Sequence, residues 1–155
     1  MLYLLLKSLH VVSVVLFLGN IITGVFWKRH GDRGDLAARR TALSGLIAAD
    51  RIFTMPAVLA IVATGIGNAL IAHIPILGTP WILWSIVLFG VSGAVFAAKV
   101  GPLQKKLLAN VDAGLSGTWD ESAYRELSRG WLWWGWVATG APLIAVFLMV
   151  FKPTF

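Results

Sequence analysis

The chain has 155 residues, of which 58% are hydrophobic and only 13% are charged. A soluble globular domain of this length does not hide so much apolar surface, so the composition excludes that class and indicates an integral membrane protein. The absence of cysteine excludes disulfides, thiolate metal sites and cysteine nucleophiles.

The formal net charge of +6 comes from cations gathered into two blocks, 28–51 and 99–129, with almost no charge between them. Basic residues beside apolar segments are typical of the loops that orient a membrane protein. We therefore expect the lipid bilayer, and not nucleic acid, to be the partner of these cations.

Four apolar segments are long enough to cross a bilayer, because a hydrocarbon core about 30 Å thick requires roughly 20 helical residues. They are 3–27, 52–77, 81–98 and 131–151. Each span must satisfy its own backbone hydrogen bonds in lipid, which favours helices. The sequence predicts an all-α fold, a four-helix transmembrane bundle in which residues 1–155 form a single domain.

The first segment is too long for the apolar region of a cleaved signal peptide, so we interpret it as a membrane helix. The first and third connections together carry eleven Lys and Arg residues, whereas the connection 72–80 carries none. The positive-inside rule then places the basic loops in the cytoplasm and both termini outside. We expect a multi-pass protein of the bacterial cell inner membrane.

Both basic connections contain signals for helices. Asp35 can cap a helix that runs into the second span, and Thr118 with Glu121 forms a capping-box pattern. These helices are expected either to lie along the headgroup surface or to form ordinary solvated connectors. The tryptophans at the start of the fourth span predict an interfacial belt; they are Trp131, Trp133, Trp134 and Trp136.

Small and polar residues are expected to mark the buried faces of the spans, because lipid tails give helices no hydrophobic drive to associate. Gly93, Ala97 and Gly101 form a small-residue face on the third span, for close packing or for a homo-oligomer. In the first span a stripe recurs with gaps of three and four, and it comprises Tyr3, Leu6, His10, Ser13, Phe17, Asn20, Gly24 and Trp27. A comparable line on the second span comprises Asp50, Thr54, Ala57, Ile61, Thr64 and Asn68.

Counting residues from the outer ends of the first two spans places His10 roughly 10 Å and Asn68 roughly 12 Å deep, so they are predicted neighbours. His73 is shallower, about 5 Å deep by the same count. Asn20 and Thr54 are predicted to lie together nearer the cytoplasm.

His10 is the ionisable residue that lies well inside an apolar segment, and such a residue is a functional-site hypothesis by default. Three interpretations are open. His10 is a structural histidine bonded to Asn68 or Ser13, an axial metal ligand to a haem between the helices, or a proton carrier or quinone ligand.

Two stretches of sequence resemble a known superfamily. One is LLKSLHVV at 5–12 followed by FLG at 17–19, and the other is VGPLQKK at 100–106. The superfamily consists of small bacterial four-helix membrane proteins. It includes copper-resistance protein D-type membrane proteins, haem-associated protoporphyrinogen oxidases, and predicted integral membrane proteins of no assigned function. The second stretch resembles the pattern of the predicted integral membrane proteins of no assigned function. The similarity of the chain to that family extends over essentially its whole length.

The resemblance implies a haem-binding role for His10, because the first-helix histidine of the oxidase relatives is implicated in haem binding. The chain departs from the oxidases in having no second histidine at mid-membrane and no Lys or Arg inside the third span, where Lys99 stands at the end. Protoporphyrinogen oxidation is therefore not expected. His73 is the candidate second ligand, and Asn68 is a candidate neighbour of the cofactor.

The leading hypothesis is an inner-membrane protein that binds b-type haem through His10 and acts in electron transfer or beside a membrane redox partner. The alternative is a non-enzymatic accessory or scaffold subunit, or a small transporter-like protein, without a cofactor. No motif of a soluble enzyme is present, so the catalytic residues and the question of enzymatic activity stay open.

Overall fold

A computed structural model describes residues 1–153, and in that range it contains helices and no strand. The helices are α1 (Leu2–Gly31), α2 (Leu36–Ala49), α3 (Met55–Ile71), α4 (Pro80–Val95), α5 (Gly101–Leu115) and α6 (Glu121–Phe151). Two π-helical turns, Asp50–Thr54 and Phe96–Val100, join α2 to α3 and α4 to α5. The result is four long apolar helices, which confirms the predicted all-α four-helix transmembrane bundle.

The two π-helical turns each precede a proline. Pro56 and Pro102 have no N–H, and a proline ring in a helix clashes with the carbonyl four residues before it. The backbone widens to accommodate the ring, so the N–H of Met55 bonds to the carbonyl of Asp50, and that of Gly101 to Phe96, five residues back. These widened turns change the direction in which the side chains beyond them point.

The second long helix ends six residues earlier than its predicted boundary. It closes at Ile71, where the N–H of His73 bonds to the carbonyl of Leu70 and the N–H of Ile74 bonds to Ala69. His73 has φ of 51°, the left-handed conformation that ends a helix in this hydrogen-bond pattern. The segment 72–79 is therefore a connection between helices, and the span prediction of 52–77 was too long at that end.

The basic connections are helical extensions of the spans, so the prediction that they lie along the headgroup surface was wrong. The second long helix begins at Leu36 and the third continues to Leu115, about 54 Å each at 1.5 Å per residue. Asp35 caps the start of α2 through the N–H of Ala38, as predicted. The predicted capping box at Thr118 does not form, because Asp120 caps α6.

Asp120 begins α6 by accepting a hydrogen bond from the N–H of Ala123 at 2.9 Å. This bond, together with one from the hydroxyl of Ser122, lowers the pKa of the Asp120 carboxyl below its ordinary value. The carboxylate therefore stays ionised at the positive end of the helix dipole, which favours a helix start at Glu121.

The four long helices pack as two pairs. The first pair is α1 against α2 and α3, and the second is α4 and α5 against α6. The pairs approach each other closely where α2 meets α5 and α1 meets α6, at the end that carries the basic connections, called here the basic end. At the opposite end, called the short-turn end, no Cα atom of α3 or α1 lies within 8 Å of α4 in the described residues.

The continuous hydrophobic core lies at the basic end. Its fully enclosed members include Leu43, Leu107 and Val111, with exposed fractions of 1%, 0% and 0%. Trp131 belongs to this core with only 4% of its surface exposed, so the predicted interfacial belt is reduced to the other tryptophans. Toward the short-turn end the two pairs meet through side chains, with the rings of Phe17 and Phe89 5.5 Å apart.

The contact between α4 and α6 includes a carbonyl that a proline has freed. Pro142 lies inside α6 and has no N–H to offer to the carbonyl of Ala138, four residues back. Ser92 on α4 donates its hydroxyl to that carbonyl at 2.6 Å. A hydrogen bond between α4 and α6 therefore replaces the helical hydrogen bond that Pro142 cannot make in α6.

The predicted small-residue face of the third span does not pack inside the chain. Gly93 and Ala97 are exposed, and a Cβ atom added to Gly93 would meet nothing within 4 Å. Only Gly101 of this set lies close to another group, the carbonyl of Phe96 in its own helix. The prediction of intrachain packing through this face was wrong, because no described residue covers Gly93 and both Gly93 and Ala97 are left exposed.

Candidate functional site

His10 lies on α1 at its contact with α3, half-buried and about 12 Å along the helix from its first residue. Its Nδ1 atom is 3.1 Å from the carbonyl oxygen of Ile61 and 3.0 Å from Oγ1 of Thr64. The hydroxyl of Thr64 donates to the carbonyl of Ala60, so its hydrogen is not available to the imidazole. Both groups near Nδ1 therefore act as acceptors.

This environment determines the tautomer of His10. Because a carbonyl oxygen can only accept, Nδ1 must carry the hydrogen, and Nε2 of the neutral ring then carries a lone pair. Nε2 has no hydrogen-bond partner among residues 1–153, and it is not one of the buried polar atoms that lack a partner. An accessible imidazole nitrogen whose opposite nitrogen is anchored on a backbone carbonyl is the arrangement that metal-ligating histidines use.

Two glycines of α3 make room for α1. A Cβ atom at Gly65 would lie 3.2 Å from Cε1 of His10, and one at Gly67 would lie 3.1 Å from Cδ1 of Leu6. The imidazole ring therefore rests directly on the backbone of α3. Gly65-Ile66-Gly67 is a packing feature at this contact, and Gly65 is a positioning residue for the ring.

Asn68 stands one helical turn beyond Thr64 on the same face of α3, toward the short-turn end. Its Oδ1 atom is buried and has no hydrogen-bond partner in the described chain. A buried acceptor without a donor is costly, by about 1–3 kcal/mol. The site therefore has two unsatisfied polar atoms on neighbouring turns, Nε2 of His10 and Oδ1 of Asn68.

The bond of His10 to Asn68 or Ser13, which was one of the open interpretations, is not formed, and the observed side-chain partner lies one turn from Asn68. Thr64 is the residue that His10 contacts, and Ser13 bonds to the carbonyl of Leu9 in its own helix. The error follows from the helix end, because depth had been counted from a boundary beyond Ile71. The predicted pairing of Asn20 with Thr54 is confirmed, since Nδ2 of Asn20 lies 2.8 Å from Oγ1 of Thr54.

His73 is not brought to His10. It lies beyond the end of α3, exposed, and nine residues after Thr64, which is about 13 Å along a helix axis. Residues 1–153 contain no cluster of three or more His, Asp or Glu side chains arranged to hold a metal ion. A ligand at this site would therefore meet one histidine.

A second polar site joins the two helix pairs near the basic end. Asp50, on the first π-helical turn, accepts hydrogen bonds from Asn20 at 3.2 Å and Thr54 at 3.0 Å on Oδ1, and from Gln104 at 2.9 Å on Oδ2. Gln104 and Thr54 are 4% and 3% exposed. Every contact of the carboxylate is thus with a neutral donor, and the group links α1, α2 and α5.

A third site is built around Lys28 at the end of α1, whose side chain is only 1% exposed. Its Nζ atom donates to Asp32 and to Ser128, both at 2.7 Å. The ammonium also lies 5.3 Å from the ring centroid of Tyr124 and 5.6 Å from that of Trp131. The positive charge of Lys28 is thus surrounded by an anion, a hydroxyl and two aromatic faces. These contacts hold α1 against α6.

Sequence reasoning assigned Lys28 to a loop and missed its burial. The stripe on α1 had been continued from Gly24 to Trp27, but Trp27 is 59% exposed. Taking the next step as four residues leads from Gly24 to Lys28, and then to the buried Gly31. The signal was therefore present in the periodicity, at a step of four residues where the stripe had been continued by a step of three.

Comparisons with known proteins agree with this architecture. A family model described as "Predicted integral membrane protein (DUF2269)" matches residues 4–153. No curated protein and no solved structure matches the chain. Since the match covers nearly all of the sequence and the four long helices are apolar enough to span a bilayer, the chain belongs to this family of predicted integral membrane proteins.

Proposed function

We propose that this integral membrane protein binds a b-type haem through Nε2 of His10 and acts in electron transfer, either itself or as an accessory to a membrane redox enzyme. The observation that carries the proposal is the anchored ring: Nδ1 is held by Ile61 and Thr64, and no group of residues 1–153 engages the lone pair of Nε2. Histidine of this tautomer is a common axial ligand of haem iron.

The residues around His10 supply the rest of the protein's contribution. The Ile61 carbonyl and the Thr64 hydroxyl orient the ring, and Gly65 gives it space against α3. Toward the short-turn end the two helix pairs meet through side chains such as Phe17 and Phe89, and not through close backbone contact. The unpaired Oδ1 of Asn68 offers a hydrogen-bonding contact to the polar edge of a bound group. A bound haem would supply one-electron redox chemistry.

The described residues bring one histidine to this site. His73 lies beyond the end of α3 at Ile71, is exposed, and follows Thr64 by nine residues in the sequence. We therefore expect His10, and not His73, to be the residue that would hold the haem.

Visible spectroscopy of protein purified from haem-replete cells tests this proposal. We expect a Soret band in the wild type and in His73→Ala, and none in His10→Ala. His10→Asn is the sharper variant, because its side-chain amide can keep the hydrogen bond to Ile61 while offering no Nε2. It should fold like the wild type and be colourless. Colourless wild-type protein, or a band that survives His10→Asn, would overturn the proposal.

The second candidate is a cofactor-free accessory or scaffold subunit, and it is favoured by the satisfied polar sites. The side chains of Asp50 and Lys28 are both hydrogen-bonded by groups of the same chain, which is how structural polar residues behave. In that case His10 only joins α1 to α3. Thr64→Val would then lower the stability as much as His10→Ala does, and neither protein would carry a haem spectrum.

We also infer a location in the bacterial inner membrane, with the basic end in the cytoplasm. The support is the positive-inside rule applied to the two basic connections, together with helical spans that are not of the outer-membrane barrel type. Labelling of single cysteines introduced at the exposed Ser116 and at Gly78 in intact cells and in inverted vesicles would test it. A cysteine at position 78 should react from outside, and one at position 116 only from the cytoplasmic side.

A further inference from the structure

A groove lies between α5 and α6 near the basic end, with a volume of about 740 Å³. Pro102 and Leu103 form one wall, Leu127 and Trp134 form the other, and Gly130 leaves the floor open. Gly130 has no side chain to fill the space beside Leu103, from which an added Cβ atom would be 3.7 Å. The walls are apolar along most of their length.

Two lysines border the groove. Lys99 and Lys106 are seven residues apart, which places them on one side of the third long helix and about 10 Å apart along its axis. Among residues 1–153, neither ammonium has a carboxylate oxygen within 4.0 Å, whereas Lys28 and three arginines are paired. Glu126 also lines the groove, so its formal charge is +1.

The depth of the groove is marked by an aromatic residue. Nζ of Lys99 lies 5.4 Å from the ring centroid of Trp134. Tryptophan and lysine occur together at the level of lipid headgroups, where the indole is amphipathic and the ammonium reaches phosphate. The groove therefore opens at the boundary between hydrocarbon and headgroups.

A path of small exposed residues on the third long helix precedes the groove in the sequence. They are Gly90, Gly93 and Ala94 of α4 and Ala97 of the second π-helical turn. A Cβ atom at Gly90 or Gly93 would meet nothing within 4 Å, so no described group covers these two positions. Ala98, which follows the path in the sequence, lines the groove. The basic groove is thus preceded along the helix by an uncovered strip of small residues, and the two together match a headgroup joined to an acyl chain.

We propose that this surface binds an anionic phospholipid, with its phosphate between Lys99 and Lys106 and an acyl chain along Gly93 and Ala97. The excess positive charge selects an anionic lipid, because a zwitterionic headgroup brings its own cation to the two lysines. The apolar path excludes a soluble anion as the intended occupant. This inference does not depend on haem at His10, which lies near the other end of the bundle.

Native mass spectrometry of the detergent-solubilised full chain, titrated with phosphatidylglycerol or phosphatidylcholine, tests the proposal. We expect one phosphatidylglycerol to bind in preference to phosphatidylcholine. The double variant Lys99→Gln/Lys106→Gln should weaken that binding about 30-fold, since each cation near an anionic headgroup contributes about a factor of five. The matched control Lys7→Gln/Lys105→Gln, which removes two exposed lysines outside the groove, should bind as the wild type does.

A second variant probes the acyl path without changing the charge. Ala97→Trp should weaken binding of the long-chain lipid and leave binding of a short-chain phosphatidylglycerol unchanged. Equal affinity for the two headgroups, or an unchanged affinity of Lys99→Gln/Lys106→Gln, would overturn the proposal. So would complete displacement of the lipid by glycerol phosphate alone. A dimer that Ala97→Trp dissociates and that binds no lipid would show that a second copy occupies the surface instead.

Discussion

The bond between Ser92 and the freed carbonyl of Ala138 makes a sharp prediction about stability. Ser92→Ala removes the donor, and Pro142 cannot replace it because it has no N–H. A buried acceptor left without a donor costs about 1–3 kcal/mol, although interhelical hydrogen bonds in membrane proteins average about 0.6 kcal/mol and reach about 1.7 kcal/mol. We expect the free energy of unfolding to fall by about 1.5 kcal/mol.

The loss of unfolding free energy caused by Ser92→Ala should also depend on Pro142. In Pro142→Ala, the N–H of residue 142 can bond to the carbonyl of Ala138 within α6. Removing Ser92 in that background should therefore cost only about 0.5 kcal/mol, the range of an exchangeable hydrogen bond. The coupling between the two positions should be about 1 kcal/mol in a double-mutant cycle.

Ser85→Ala is the matched control. Ser85 is as buried as Ser92, at 3% and 4% exposure. Its hydroxyl donates at 2.7 Å to the carbonyl of Trp81 in its own helix and lies 3.4 Å from that of Ala145. No proline stands four residues after either acceptor, so both keep a helical N–H and the loss should be small.

The assay is reversible unfolding by denaturing detergent, followed by the fluorescence of the eight tryptophans. Equal costs for Ser92→Ala and Ser85→Ala would refute the claim that the freed carbonyl makes the difference. Additive costs of Ser92→Ala and Pro142→Ala would refute it independently, because the two residues would then not share an acceptor.

Two further predictions concern the first helix pair and its junction with the second. Gly31→Ala should destabilise the protein by about 1–3 kcal/mol, because the added Cβ atom would lie 2.4 Å from that of Ala42. Gly45→Ala, whose added Cβ atom meets nothing within 4 Å, should instead stabilise it by about 0.5–1 kcal/mol. A loss of stability at both positions in the same unfolding assay would contradict this. Asp50→Asn should lower the free energy of unfolding by about 2 kcal/mol, because its side-chain NH₂ group would face the Nε2 donor of Gln104. The exchange Asp50→Asn/Gln104→Glu should recover most of that stability. If no stability is recovered, Gln104 is not the partner of Asp50.

Some of the site could be predicted from periodicity and depth. The stripe on α1 correctly contained His10, Phe17 and Asn20, and counting along two antiparallel helices brought Asn20 to Thr54. The same count missed the partner of His10, because it assumed a helix end that the turn at His73 precludes. A depth counted from a helix end is only as accurate as the predicted position of that end. A helix end that is set by backbone hydrogen bonds, as at His73, does not show in the hydropathy of the sequence.

Other features could not be read from the sequence, and π-helical turns are the clearest case. A proline inside a helix predicts a disturbance, but it does not say whether the helix kinks, breaks or widens. Here Pro56 and Pro102 widen the preceding turns, and those turns carry Asp50 and precede Gln104. The bond between these two side chains joins residues far apart in the chain, and it depends on how both turns are rotated.

The amino-acid sequence alone determined that four helices cross a bilayer and which end is basic, because segment length, apolarity and charge act locally and each span satisfies its own backbone. Only the tertiary structure decided which atoms meet: Nδ1 of His10 with Ile61, Lys28 inside the basic end, and Ser92 with the carbonyl that Pro142 leaves free. Periodicity identifies the face that a helix buries, but the rotation and axial offset of its neighbours are set by packing all four helices together.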